Sequence, residues 1–392
     1  MNAHGTGTLA NDDAEWRGIQ RALGPRAAGI PISSSKGLLG HAQGAAGVLE
    51  TIGTILSMGD GIIPPSVRIG RGRPRGPADV VAEGRARPGA IGVALSNSAA
   101  FGGANAVVAI TRRARPATSR PERRVWLAGS GRAITGEGEP RDEAALARAI
   151  GDLDVRQSDP SARMLLAATI RALDDASLRV RGPLRDRAGA FTGAARVSPA
   201  SADEFQASLS RGGLGRASAP AFARLVMHAP TGAVSRLLAL RGPTTSIAAD
   251  GVAGMLAVAL AARWLRDRED ADVLIAAGLH ERAVAGDGVE EDRGEEGAAV
   301  LVLRADAPSA VRVAGVALAG PGRLEDAITR ALTGAATTVV EHTVHARDTG
   351  ALRSTLAVAQ GAAAVREGAR AVLVTGGSVH GSIAMVLTRE DA

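Results

Sequence analysis

The stretch TRRARPATSRPERR, residues 111–124, constrains this chain more than any other feature. It is dense in Arg and Pro and has no apolar residue recurring at helix or strand spacing. Such a segment cannot enter a core and reads as a linker. It splits the 392 residues into a segment 1–112, a linker 113–124 and a segment 125–392, and a hydrophobic fraction of 45% gives both segments material for a core. A second such stretch, RIGRGRPRGPADVVAEGRARPG at 68–89, reads as a surface loop inside the first segment.

Segment one reads as mixed α/β. DDAEWRGIQRAL carries apolar residues at helical spacing, GIPISSS reads as a short strand, and GAAGVLETIGTILSMG as an apolar helix, expected to be buried. AIGVALSNS and NAVVAIT read as strands joined by the turn AAFGGA.

Composition narrows the function classes. Cys is absent, which excludes disulfides, thiolate metal ligands and a cysteine nucleophile within the chain. The net charge of +6 is carried almost wholly by Arg, yet aromatics are only 2% and Tyr is absent. Stacking platforms for bases are therefore scarce, and the basic balance does not point to nucleic acid. No apolar run approaches the ~18 residues of a membrane span. The N-terminus has no basic region followed by an apolar one, so no signal peptide is expected and the cytoplasm is the expected compartment.

Three residues stand out in segment one. Lys36 is the one lysine in a chain rich in Arg, which points to a position where a compact ammonium is wanted rather than a guanidinium fork. His41 precedes the apolar helix, where free N–H groups and the helix dipole favour a developing oxyanion. His4, with Thr6 and Thr8, sits in the Gly-rich turn NAHGTGT. Each also has a plain structural reading: a solvated surface lysine, a capping or core histidine, and a Gly turn with capping threonines.

NAHGTGTLANDDAE, SSSKGLLGHAQGAAGVLE and NSAAFGGANA resemble, in order and spacing, the C-terminal half of β-ketoacyl-acyl-carrier-protein synthases. The resemblance covers nearly all of segment one. It implies a thiolase-like α/β fold, layered α-β-α-β-α, and an active site of one cysteine and two histidines. By that resemblance His4 and His41 are the catalytic histidines and Lys36 supports them. Thr6 and Thr8 match the threonines that hold the phosphopantetheine arm of the carrier protein, and the chain itself is expected to bind no cofactor or metal. Asp12, Glu15 and Glu50 match motif acids of mainly structural role. Phe101 matches a gating phenylalanine, although Ala99 and Ala100 stand where the family has Phe-Gly.

Segment two resembles a complete but degenerate copy of the same domain. RRVWLAGSGRAITGEG resembles its opening strand and turn, SARMLLAATIRALDDASL its first long helix, RAGAFTGAA the next strand and GEEGAAVLVL, residues 294–303, a later one. The opening glycines also fit a dinucleotide loop loosely, but no acidic residue closes a second strand. Gly251 occupies the cysteine position at the start of a buried helix. GPGRLEDAITRAL is expected where the His4 turn would be, and EHTVHARDTGALRSTLAVAQG parallels the Lys36–His41 stretch without its lysine. His342 and His345 with Asp348 lack a third firm metal ligand, and no motif surrounds His228, His280 or His380.

An active-type half followed by a degenerate copy is the pattern of ketosynthase and chain-length-factor pairs. The resemblance thus implies a condensing enzyme of fatty-acid or polyketide synthesis whose cysteine-bearing N-terminal half is missing or lies on another polypeptide. The alternatives are a non-catalytic partner of the chain-length-factor type and an acyl-carrier-binding module. Acyl carrier protein, a cysteine-bearing ketosynthase half or subunit, and a homo- or heterodimer are the expected partners.

Overall fold

The structure, a computed structural model, describes all residues except 68–76, 78, 83, 102, 115–120, 137–140, 283–294, 336–341, 347–350, 379–380 and 390–392. Asp348, His380 and part of the linker 113–124 thus lie outside the described residues. The chain divides into two compact units, Met1–Ser119 and Arg120–Ala392.

Unit 1 begins with an isolated bridge at Asn2, which lies between Ser33 and Ser96, parallel to both. Helix α1 (Leu9–Leu23) follows, capped by the Thr8 hydroxyl, which accepts from Asn11 N. Its apolar positions Trp16 and Ile19 close a small core with Ala3, Ala27 and Ile32. After a 3-10 turn (Gly24–Gly29) the chain returns to Ser33, then forms α2 (Lys36–Leu39) and α3 (Ala46–Asp60). Strands β1 (Ile62–Ile63) and β2 (Arg87–Pro88) pair briefly. Strands β3 (Val93–Ala99) and β4 (Asn105–Thr111) form an antiparallel pair against which α3 packs through β3.

Two expectations for this unit fail. GIPISSS contributes one bridge rather than a strand. The helix α3 forms but is not buried: it hides Ala46, Glu50, Ser57 and Met58 and leaves Val48 64% and Leu56 61% exposed, with Leu49, Ile52 and Ile55 beside them. Apolar composition shows that a helix face wants cover; it does not show that the same unit provides it.

Unit 2 holds β5 (Val125–Thr135), α4 (Glu143–Ile150), α5 (Pro160–Asp175), β6 (Ala188–Ala194), α6 (Pro199–Gly212), α7 (Ala219–Arg224), α8 (Ala229–Leu237), β7 (Thr244–Ala248), α9 (Ala253–Asp267), β8 (Val273–His280), β9 (Glu296–Ala305), β10 (Val311–Ala319), α10 (Leu324–Ala335), β11 (His342–Ala346), α11 (Ala351–Arg366), β12 (Ala371–Ser378) and β13 (Gly381–Thr388). The strands join in the order β11-β12-β13-β10-β5-β9-β8-β6-β7. Only three residue pairs, Val311–Leu127 to Val313–Val125, link β10 to β5, so the sheet is two halves joined at a narrow seam.

The halves are separated by α9 and α11. Leu301 and Leu303 of β9 point into a core with these two helices and with Val372, Met385 and Leu387 of the other half. The alternate residues Val300 and Val302 point the opposite way, into a core with α5 and α8. A third core packs α10 on Ala317, Leu373 and Val386. The result is the five layers α-β-α-β-α, a thiolase-like fold. Close helix packing fixes Gly254, where a Cβ would sit 2.1 Å from the Ala351 carbonyl oxygen.

One placement within unit 2 needs correction. GPGRLEDAITRAL does not stand where the His4 turn stands in unit 1. It forms α10, ahead of β11. It is β11 that lies parallel beside β12, as Asn2 lies beside β3, and α11 follows β11 after four residues. His345 therefore lies on the strand equivalent to the one leading into His4, and the α1-to-Ser33 excursion of unit 1 has no counterpart there.

Candidate active site

Unit 1 brings His4, Lys36, His41 and Glu50 together. His4 follows the Asn2 bridge in a turn whose Gly5 has φ +45°, and a Cβ there would sit 2.7 Å from Ser34 Cβ. Only glycine fits both demands. The turn is held by one carboxylate: Glu15 accepts from His4 N at 2.8 Å, from Gly5 N at 2.9 Å and from the Asn97 side-chain amide at 2.6 Å. Asp12 accepts from Gly7 N at 3.2 Å.

Lys36 and Glu50 form a buried ion pair that ties α2 to α3. The Lys36 ammonium also lies 3.3 Å from His4 Nδ1. An ammonium can only donate, so Nδ1 accepts and the ring proton resides on Nε2. Burial first, and the Lys36 charge second, push the His4 pKa down to about 4; Glu15 opposes and His41 adds a little. His4 is therefore neutral near pH 7.

His41 is exposed, on the turn between α2 and α3. Its Nδ1 accepts from Gln43 N at 3.2 Å, which places its proton on Nε2 as well. Gln43 holds this contact from a left-handed backbone, φ 49°, a conformation costly for a side-chain-bearing residue. The two imidazoles stand edge to face with centroids 5.5 Å apart. The two rings are thus adjacent, each with its Nδ1 occupied by a donor and its Nε2 left to face a ligand.

The remaining expected residues are placed as follows. Thr6 and Thr8 point their hydroxyls at each other, 3.2 Å apart, at the surface of the turn. Phe101 is half exposed on the turn between β3 and β4. In unit 2, Gly251 lies buried in the turn between β7 and α9, so the strand, turn and buried helix expected around a nucleophile are present without one. His345 Nδ1 pairs with the Thr375 hydroxyl at 2.5 Å. Asn97 and the backbone of Gln43 were not legible beforehand as parts of the site. Asn97 lies 82 positions from Glu15, and nothing in local spacing signals that contact.

Known proteins bear on this geometry. The family model "Beta-ketoacyl synthase, C-terminal domain" matches residues 1–69, and "Beta-ketoacyl synthase, N-terminal domain" matches residues 98–290. The 3-oxoacyl-[acyl-carrier-protein] synthase 2 of Synechocystis sp. is 39% identical over 112 residues, which is 29% of this chain and 27% of that protein. Nodulation protein E of Rhizobium sp. (strain N33) is 41% identical over 109 residues, 28% of this chain and 27% of its own length. The chain thus spans about a quarter of the length of the curated relatives it matches. Among solved structures, a PfaC keto synthase-chain length factor superposes on 99% of this chain and 57% of its own, with a TM-score of 0.66 and 14% identity, a likeness of fold. With both domain models of one family matched in the two units, and with the fold that goes with them, the chain belongs to the β-ketoacyl synthase family.

Proposed function

We propose that this chain takes part in the decarboxylative condensation of malonyl-carrier protein with an acyl thioester, in fatty-acid or polyketide synthesis. Unit 1 supplies the decarboxylation histidines, and a separate cysteine-bearing half supplies the nucleophile. The observation that carries this reading is the adjacent pair of imidazoles, His4 and His41, each with its Nδ1 occupied by a donor. Two Nε2–H donors facing one thioester oxygen stabilise the enolate left when the malonyl carboxylate departs as carbon dioxide. That is oxyanion stabilisation, worth a few kcal/mol per donor. The enolate carbon then attacks the acyl-cysteine carbonyl, the new carbon–carbon bond forms and the thiolate leaves. With no cysteine in the sequence, that second step needs another polypeptide segment.

The bare apolar face of α3 supports the same reading. In unit 2 the corresponding helix α11 packs on α9 and on strands β8 and β9. In unit 1 the face of α3 carrying Val48, Ile52, Ile55 and Leu56 is exposed. A half-domain bearing a helix like α9 is the occupant that fits. Acyl carrier protein, delivering its phosphopantetheine arm past Thr6 and Thr8, is the proposed substrate partner.

A second reading concerns unit 2. Its five layers are built while Gly251 offers no side chain to hold an acyl group. We infer for it the role of a non-catalytic, chain-length-factor-like partner within a dimer of synthase domains.

The test supplies malonyl-loaded carrier protein to the purified chain, alone and with a cysteine-bearing N-terminal half of a family member. Carbon dioxide and ketoacyl product are expected only from the pair. His4→Ala and His41→Ala should each lower the rate on the order of a hundredfold. Product from the chain alone, or full activity in both variants, overturns the reading.

A further inference from the structure

We propose that Asn97 is a positioning residue for His4, acting through the Glu15 carboxylate. Its catalytic meaning rests on the reading of unit 1 given above; its structural content does not. One oxygen of Glu15 accepts from both His4 N and the Asn97 amide, and the other accepts from Gly5 N. A single carboxylate on α1 thereby joins the His4 turn to β3. Asn97 is indexed onto the same turn a second time, since its backbone N–H donates to Asn2 O at 2.9 Å.

Without the amide, Glu15 keeps two hydrogen-bond partners that both belong to the turn it must hold, and among the described residues the Asn97 amide is the hydrogen bond that reaches it from β3. The His4 ring meets Lys36 at 3.3 Å and stands at 80° to His41, a geometry that a loose support would not preserve. The chemistry of the position also selects an amide. Asn donates to a carboxylate, whereas the near-isosteric Asp would set a second carboxylate 2.6 Å away from the first. The charged and titratable groups around the turn are then Asp12, Glu15, Lys36, Glu50 and His41.

The test is the titration of His4 in the full chain, read from the imidazole NMR signals of histidine-labelled protein. The His4 signal is assigned by its loss in His4→Gln. In the wild type the midpoint is expected at about 4. Asn97→Asp should raise it by about one unit or more, because an added carboxylate favours the imidazolium, and Asn97→Ala should raise it by less, as the turn admits water. A purely structural role would lower the melting temperature and leave the midpoint in place. Midpoints within about 0.3 unit of wild type in both variants overturn the proposal. So does loss of the fold in both, which would mark Asn97 as a packing residue. The readout is a titration, so it is independent of whether the chain takes part in a condensation.

Discussion

The Lys36 ammonium lies 3.3 Å from Nδ1 of His4 while its ion-pair partner, Glu50, is buried beneath it on α3. One cation therefore does two things. It neutralises a buried carboxylate, and it holds a neighbouring imidazole neutral with its proton on the far nitrogen.

Removing that cation strands the Glu50 charge. Lys36→Met should destabilise the protein by roughly 3 kcal/mol, the usual cost of breaking a buried pair from one side. Lys36→Met with Glu50→Gln should recover much of that loss, since no buried charge remains. Urea unfolding of both variants checks this. The single variant should also raise the His4 midpoint, because the Lys36 charge, second only to burial among the influences holding it down, is gone.

His4 makes stability depend on pH with a definite sign. Its folded pKa, about 4, lies below the ordinary 6.5, so between these values the unfolded chain binds the extra proton. The contribution of His4 is complete above pH 6.5, falls as the pH drops toward 4 and does not change further below that. His4→Gln should flatten this part of the profile. Unfolding midpoints at pH 7.5, 5.5 and 4.5 in the two proteins measure it, and an unchanged slope would refute the assignment.

Glu281 in unit 2 carries the opposite sign. Burial first, and the Asp159 charge among the lesser influences, raise its pKa, against the Ser161 hydroxyl and the Arg141 guanidinium 3.9 Å away. A raised folded pKa means that stability is lost as the pH rises through it, because the unfolded chain gives up that proton more readily. Glu281→Gln should raise the melting temperature at pH 8 and change it little at pH 4, where the native carboxyl is already protonated. Scanning calorimetry at the two pH values distinguishes this from a general packing effect.

Much of unit 2 was legible because its central elements are apolar on every face. The runs AAVLVL in β9 and AGMLAVALAA in α9 are buried on two sides and have no other stable place. The turn carrying Gly251 followed from its position between strand and helix. Unit 1 was less legible for a physical reason: its helix α3 has the composition of a buried helix and a largely exposed position. Sequence reports what a surface would bury, not what covers it. In the site, the residue types were readable from the motif, but the contacts that orient them, Asn97 to Glu15 and Gln43 to His41, depend on three-dimensional closure and on one left-handed residue.

Close helix packing gives a further test within unit 2. A methyl at Gly254 would meet the Ala351 carbonyl oxygen at 2.1 Å and the Thr355 hydroxyl at 2.2 Å. Neither the α11 backbone nor the buried Thr355 can withdraw without opening the core between the two sheet halves. Gly254→Ala should cost about 3 kcal/mol or more, whereas Gly→Ala inside an uncrowded helix would stabilise. Urea denaturation gives the comparison, with Gly53→Ala in α3 as the reference, because nothing lies within 4 Å of a Cβ there.

The exposed face of α3 separates folding from assembly. Ile52 and Leu56 lie four apart on one side of the helix and are 48% and 61% exposed. Ile52→Glu and Leu56→Glu should therefore leave the thermal stability of the chain within about 0.5 kcal/mol of wild type, as surface substitutions do. The same charges would be buried unpaired if a cysteine-bearing half covers α3, at a cost of several kcal/mol. Binding of that half, measured by calorimetry, should then weaken by a hundredfold or more. If both variants bind as tightly as the wild type, α3 is not the contact, and the apolar face needs a different occupant.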